Sequence, residues 1–236
     1  MMEAKAMRNR TVLVVLAIWT LVIGGCGVNA SIHIEDGETV NGGKATVNGS
    51  VHIGADCTVH GSCRTVNGRV TVGSGSRVGG LQSVNGSITV DENVNVEGDV
   101  STVNGSVRLG TDVEVEGEVE TVNGSVVCTR DVIAGDVTTV NGSIQISRTE
   151  VGGNLGTVNG SMTLEDGSRI AGNILVKGKS TRYRRKKAIE IEISDDSVVE
   201  GDIVVRDPSR EVKVILSGGG KVLGQVSNAE VIEQDS

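Results

Sequence analysis

Along Thr102–Glu120, the sequence T-V-N-G-S-V-R-L-G-T-D-V-E-V-E-G-E-V-E places apolar side chains at Val103, Val107, Leu109, Val113, Val115 and Val119. Polar side chains stand at Ser106, Arg108, Asp112, Glu114, Glu116, Glu118 and Glu120. The alternation has a period of two, runs in short bursts, and breaks at Asn104-Gly105, Gly110 and Gly117. Period two belongs to a strand with one buried face, and nothing in the stretch approaches the 3.6-residue period of a helix. The pattern predicts several short strands per unit, bent at glycine-containing corners, with branched side chains turned into a common interior. Asn-Gly marks a corner because both residues tolerate positive φ.

The unit repeats. T-V-N-G-S is intact at Thr46–Ser50, Thr102–Ser106, Thr121–Ser125, Thr139–Ser143 and Thr157–Ser161, with near-copies at Thr39–Gly43, Thr65–Arg69 and Ser83–Ser87. From Asn48 onward the Asn-Gly pairs recur every 18 or 19 residues, at Asn67, Asn85, Asn104, Asn123, Asn141 and Asn159. A fixed period of this size is the signature of a stacked repeat whose units bury their apolar faces only against one another. The expectation is an all-β parallel β-helix, a β-solenoid of 18–19-residue coils. The general preference of parallel crossovers makes it right-handed. Stacked asparagines are expected to form a hydrogen-bonded ladder. Eight or nine coils at about 4.8 Å each would make a rod roughly 40 Å long. An array of hairpins is the competing arrangement, since Asn-Gly also favours two-residue hairpin turns. The short segments and the single phrase per period favour the helix.

The expected organisation is a signal segment at 1–25, a tether and partial first repeat at 26–43, and a regular solenoid at 44–176. A basic loop at 177–188, degenerate C-terminal coils at 189–226 and an acidic tail at 227–236 complete it.

Composition sharpens this picture. The 236 residues include no Phe, one Trp, one Tyr, one Pro and 34 Gly. The core must therefore be built from Val, Ile, Leu and a few Cys, which suit pleated strands and a narrow interior. Scarcity of proline fits strands that donate to neighbours on both sides. The net charge of −8 is concentrated in the repeat body. An acidic body argues against nucleic acid as a partner, because phosphate binding needs clustered positive charge.

At the start, Lys5, Arg8 and Arg10 precede an apolar run at Thr11–Ile23. The run is shorter than the roughly 20 residues of a comfortable span and fits a signal-peptide core. It closes on I-G-G-C at Ile23–Cys26, which resembles the lipobox of bacterial lipoproteins. That resemblance implies cleavage before Cys26 and acylation of its sulfur, and buried acyl chains at about 0.8 kcal/mol per CH₂ would anchor the protein. Gly27, in place of the Asp that retains lipoproteins at the inner membrane, implies an outer-membrane location facing the periplasm. An ordinary signal anchor with an incidental cysteine is the alternative.

Little points to catalysis or a cofactor. His52, Cys57, His60 and Cys63 spell H-x4-C-x2-H-x2-C, which has the look of a metal site. Alignment of the repeats places Cys57, Cys63 and Cys128 at inward positions and His52 and His60 at outward ones, so no metal is expected. A Cys57–Cys63 disulfide stays open as an alternative in an oxidising compartment. The N-G-S triplets match a glycosylation sequon but read as corner chemistry behind a bacterial signal. The acidic run Asp112–Glu120 reads as a solvated face, and no catalytic residues are assigned. The candidate for binding is the basic run formed by Lys177, Lys179, Arg182, Arg184, Arg185, Lys186 and Lys187. It could meet lipid headgroups, lipopolysaccharide phosphates or an acidic wall polymer, or it could simply balance the acidic rod.

The half-units V-N-V-E-G-D-V at 94–100, V-I-A-G-D-V at 132–137 and V-V-E-G-D-I-V-V at 198–205, with the N-G-S-[VI] phrases, resemble the polymer-forming bactofilins. The resemblance covers roughly residues 44–205 and implies a compact right-handed β-helix that assembles end to end without a nucleotide. The export signal departs from that family, whose members are mostly cytosolic. A second likeness is to putative adhesin β-solenoids of bacterial envelopes. Together these imply a non-enzymatic, lipid-anchored envelope scaffold, with an adhesin or a glycan- or anionic-polymer-binding module as the alternative. The implied partners are the membrane, other copies of the chain and an anionic envelope polymer.

Overall fold

The computed structural model describes residues 29–178 and 188–234. Cys26 lies outside them, as do Lys179, Arg182, Arg184, Arg185, Lys186 and Lys187.

The short strands wind into three parallel sheets, which form the faces of a prism. Face 1 has eleven strands, from Ile32–Ile34 to Glu230–Glu233. Face 2 has ten, from Thr39–Asn41 to Lys221–Val222, and face 3 has ten, from Lys44–Thr46 to Val226–Ser227. Each strand pairs with the strand three positions away in the chain, so each coil visits the faces once in order and lands on its predecessor. The register is one to one: Val100 meets Val119 and Val119 meets Val137 on face 3, while Ile88 meets Val107 and Val107 meets Val126 on face 1. This is a β-solenoid and not a hairpin array, because every ladder is parallel.

The winding is longer than the eight or nine coils expected, at about ten. Ile32–Ile34 already pairs with Val51–Ile53, so the first coil includes residues assigned to a tether and partial repeat. At the other end, Ser227 and Glu230–Glu233 lie in strands within the stretch assigned to an acidic tail. The alternation in V-S-N-A-E-V-I-E still places Val226 and Val231 on the columns of Ile203 and Val214, and that outweighs the acidic side chains. The shift between 18 and 19 residues is absorbed at corners and never in strands. Cys128 to Ile133 is one residue shorter than Leu109 to Val115, and Val78 to Leu81 is one shorter than Val59 to Cys63.

The core is a continuous aliphatic pillar of Val, Ile and Leu, with Met162, Cys57, Cys63 and Cys128 buried in it. The three cysteines are free thiols, so no disulfide joins Cys57 to Cys63. Burial pushes the Cys63 thiol up to about 11, and Cys128, beside the Asp131 carboxyl, is also raised.

The recurring phrase works differently from its sequence reading. Its threonine points inward and its valine outward: Thr102 and Thr121 are buried, whereas Val103 and Val122 are half-exposed. The threonine hydroxyl donates to the glycine carbonyl of the coil before. Thr65 reaches Gly49 O at 2.7 Å, Thr102 reaches Gly86 O at 2.8 Å and Thr121 reaches Gly105 O at 2.8 Å. Nor do the glycines of this corner adopt positive φ. They are required by close approach, since a methyl carbon at Gly124 would sit 2.5 Å from the Gly105 carbonyl carbon and nearer still to its oxygen. Thr, Asn and Gly therefore serve one contact. The hydroxyl holds the carbonyl, and the next glycine leaves room for it.

Positive φ is concentrated instead at the corner from face 1 to face 2, as at Asp56, Asn93, Asp112, Arg130, Arg148 and Asp166. Asp and Asn tolerate this region best among residues other than glycine, because their short polar side chains bond locally.

Candidate interaction surfaces

Three polar ladders run up the corners. At the corner from face 3 to face 1, each asparagine amide donates to the asparagine below. The chain of bonds joins Asn48 to Asn29, Asn67 to Asn48, Asn85 to Asn67 and Asn104 to Asn85 at 2.8 Å. It continues through Asn123, Asn141 and Asn159 at 2.9 Å. The expected ladder is present and starts one coil early, at Asn29 of an N-A-S variant of the phrase. The near-copy at Thr39–Gly43 is out of phase and lies on face 2. Beside the ladder, Val47, Val66, Val84, Val103, Val122, Val140 and Val158 form a half-exposed aliphatic stripe.

The second ladder lies between faces 2 and 3 and explains the G-D half-unit. The carboxylate of Asp99 accepts Glu118 N at 3.0 Å, that of Asp136 accepts Asn154 N at 2.7 Å, and that of Asp202 accepts Gln225 N at 2.8 Å. Asn154 and Asn173 fill the same role between them. Sequence reasoning treated these residues as part of a likeness and missed their work, which is to cap the next coil's amide.

The third ladder lies inside the corner from face 1 to face 2, and includes one buried acid. Asp131 Oδ1 accepts Val113 N at 3.0 Å and Oδ2 accepts Thr129 N at 2.7 Å, while its own N–H donates to Thr149 Oγ1 at 3.1 Å. Ser168 and Ser197 continue the column above. Burial raises Asp131 to about 7, against the opposing pull of its two amide donors. Its neighbour Arg130 is turned outward, in a two-pronged pair with Asp112 at 2.9 and 2.7 Å.

Of the basic run, Lys177 is the described member. It follows the face 3 strand Ile174–Val176, and its amide donates to Thr157 O at 2.8 Å. Its ammonium lies near Gly156 on the outer side of that face, 3.7 Å from where a Cβ would stand. The next described strand, Ile189–Ile193, belongs to face 1, so Lys177 and Gly178 stand at the Asn corner, one coil above Val158 and Asn159. In the following coil the same corner is a longer connection, at 206–211.

The His/Cys motif is divided by the wall. Cys57 and Cys63 are in the core, whereas His52 and His60 are exposed on faces 1 and 2. The acidic run is also divided: Asp112, Glu114 and Glu116 are exposed, while Glu120 sits half-buried on face 3. Burial, then the Glu118 and Asp99 carboxylates, raise the pKa of Glu120. No protein family, curated protein or solved structure matches this chain.

Proposed function

We propose that the protein is a non-enzymatic, lipid-anchored rod of the bacterial envelope that assembles through its ends. The observation that carries this reading is the apolar rung of the last described coil. Val222, Val226 and Val231 occupy the inward columns of Val199, Ile203 and Val214, yet have no coil above them among the described residues. Val231 is 45% exposed and neighbouring Leu223 is 66% exposed. An apolar rung framed by strand edges that pair on one side only is a template for another chain. Burying such a rung is favourable at about 25 cal/mol per Å².

Electron microscopy of the full chain carrying Cys26→Ala, which removes the acyl site, tests the assembly. End-to-end filaments that disappear with Leu223→Glu and Val231→Glu are expected, and a monodisperse monomer overturns the reading. Fractionation tests the anchor: Cys26→Ala should release the protein from the outer membrane.

A second reading, an adhesin or anionic-polymer-binding module, is favoured by the place of Lys177. Lys177 stands beside the corner that carries the asparagine and valine ladders, so a long polymer lying there would meet its positive charge at one end. Salt-sensitive co-sedimentation with wall material, lost when Arg182, Arg184, Arg185, Lys186 and Lys187 are neutralised, would select it.

A further inference from the structure

Dividing the His/Cys motif leaves His52 with a partner outside it, one repeat interval earlier in the chain. His33 and His52 are register neighbours on face 1, and their rings stack with centroids 4.6 Å apart and planes 15° from parallel. We propose that these two histidines form a bis-imidazole clip for one divalent first-row transition-metal ion, on the outer wall of the first two coils.

The backbone supplies the preorganisation. The pairs Ile32–Val51 and Ile34–Ile53 flank the histidines in register, and Ile34, Val51 and Ile53 are buried, so both Cα positions are fixed by the core. The rings themselves stand outside, the His33 side chain being 55% exposed. They can tilt about their side-chain torsions without disturbing packing. Zn–N bonds of about 2.0–2.1 Å at a tetrahedral angle place two ligand nitrogens roughly 3.4 Å apart. Imidazole lone pairs lie in the ring planes, so the near-parallel rings must rotate about their side-chain torsions before both nitrogens face one ion. Imidazole is a good ligand for zinc, copper and nickel.

Two neighbours complete the arrangement. Thr71 Oγ1 lies 2.7 Å from His52 Nδ1, which occupies that nitrogen and leaves Nε2 for a metal. Glu35 Oε1 lies 3.5 Å from His33 Nε2, so a carboxylate stands ready as a third ligand or as a partner to bound water. No three His, Cys, Asp or Glu side chains already converge among the described residues. The ion is therefore expected to draw the pair together, with water filling its remaining positions.

Nickel binding to the full chain in detergent, measured by equilibrium dialysis with nickel chloride, tests the clip. One ion per chain is expected, with affinity falling at least about tenfold in His33→Ala and in His52→Ala alike, as loss of a chelate partner requires. His60→Ala, which removes an exposed histidine on another face, should leave binding unchanged. Far-UV circular dichroism of each variant should match the parent. Equal losses in all three variants, an effect of only one of the paired histidines, or no binding at millimolar nickel would each overturn the proposal.

Discussion

Replacing Gly124 with alanine isolates the contact on which the stack depends. The new methyl would stand 2.5 Å from the Gly105 carbonyl carbon and 3.0 Å from Ser106 N, all backbone atoms. Ordinary carbon–carbon contact needs about 3.5 Å or more, so the coils must part locally by about 1 Å. Three bonds cross that seam: Asn123 N to Val103 O at 2.8 Å, Asn123 to Asn104 at 2.9 Å and Thr121 Oγ1 to Gly105 O at 2.8 Å. A parting of that size takes all of them beyond hydrogen-bond range. At about 1 kcal/mol each, with overpacking strain of about 1–3 kcal/mol, the loss is about 4–6 kcal/mol. Gly167 provides the contrast. It has φ +75 and nothing within 4 Å of the position a methyl would take, so alanine there meets only backbone strain. That costs about 1–2 kcal/mol. Urea denaturation followed by far-UV circular dichroism compares the two variants. Equal destabilisation by both, or a Gly124→Ala change below about 1 kcal/mol, would refute the steric account of the repeat.

Asp131 makes stability depend on pH. Its folded pKa, about 7, lies above the ordinary 3.8, so the folded state keeps a proton that the unfolded state gives up. Its contribution is intact below the unfolded value and is lost as pH rises from there through about 7. Asp131→Ser, which copies Ser168 and Ser197 in the same column, should flatten that fall when denaturation midpoints at pH 5 and pH 8 are compared. Asn104→Ala removes ladder bonds of 2.8 and 2.9 Å and should cost about 1–2 kcal/mol by the same denaturation assay. Asn41→Ala, off the ladder, should cost less than about 0.5 kcal/mol. Cys57, Cys63 and Cys128 should resist iodoacetamide at pH 8 in the folded protein and react in urea, as peptide mass mapping would report.

The fold was legible because the chain states its period openly. Alternating Val and polar residues fixed the strands, and the spaced Asn-Gly pairs fixed the stacking of one coil on the next. The direction of Thr102 and Val103 was not legible, since a single apolar side chain next to a corner reads as core. The structure turns it outward because the threonine hydroxyl has a carbonyl to reach. The Asp99 and Asp136 caps were hidden for a similar reason: they bond to amides a whole coil away, and local sequence offers no sign of them. The pairing of His33 with His52 is a matter of register alone. One repeat interval separates them, and that interval was the only available clue. The basic run could be located in the sequence, but the place of Lys177 beside the Asn corner became visible only once the faces were assigned.

One-to-one register gives the molecule a quantised length. Because Val100, Val119 and Val137 are interchangeable occupants of one column, excising or duplicating a whole winding leaves each remaining residue facing the same kind of neighbour. Height then changes by a single rung of about 4.8 Å, with the cross-section untouched. Such a scaffold works as a ruler whose reach is set by counting turns, and gene duplication alone could lengthen it without redesigning the interior.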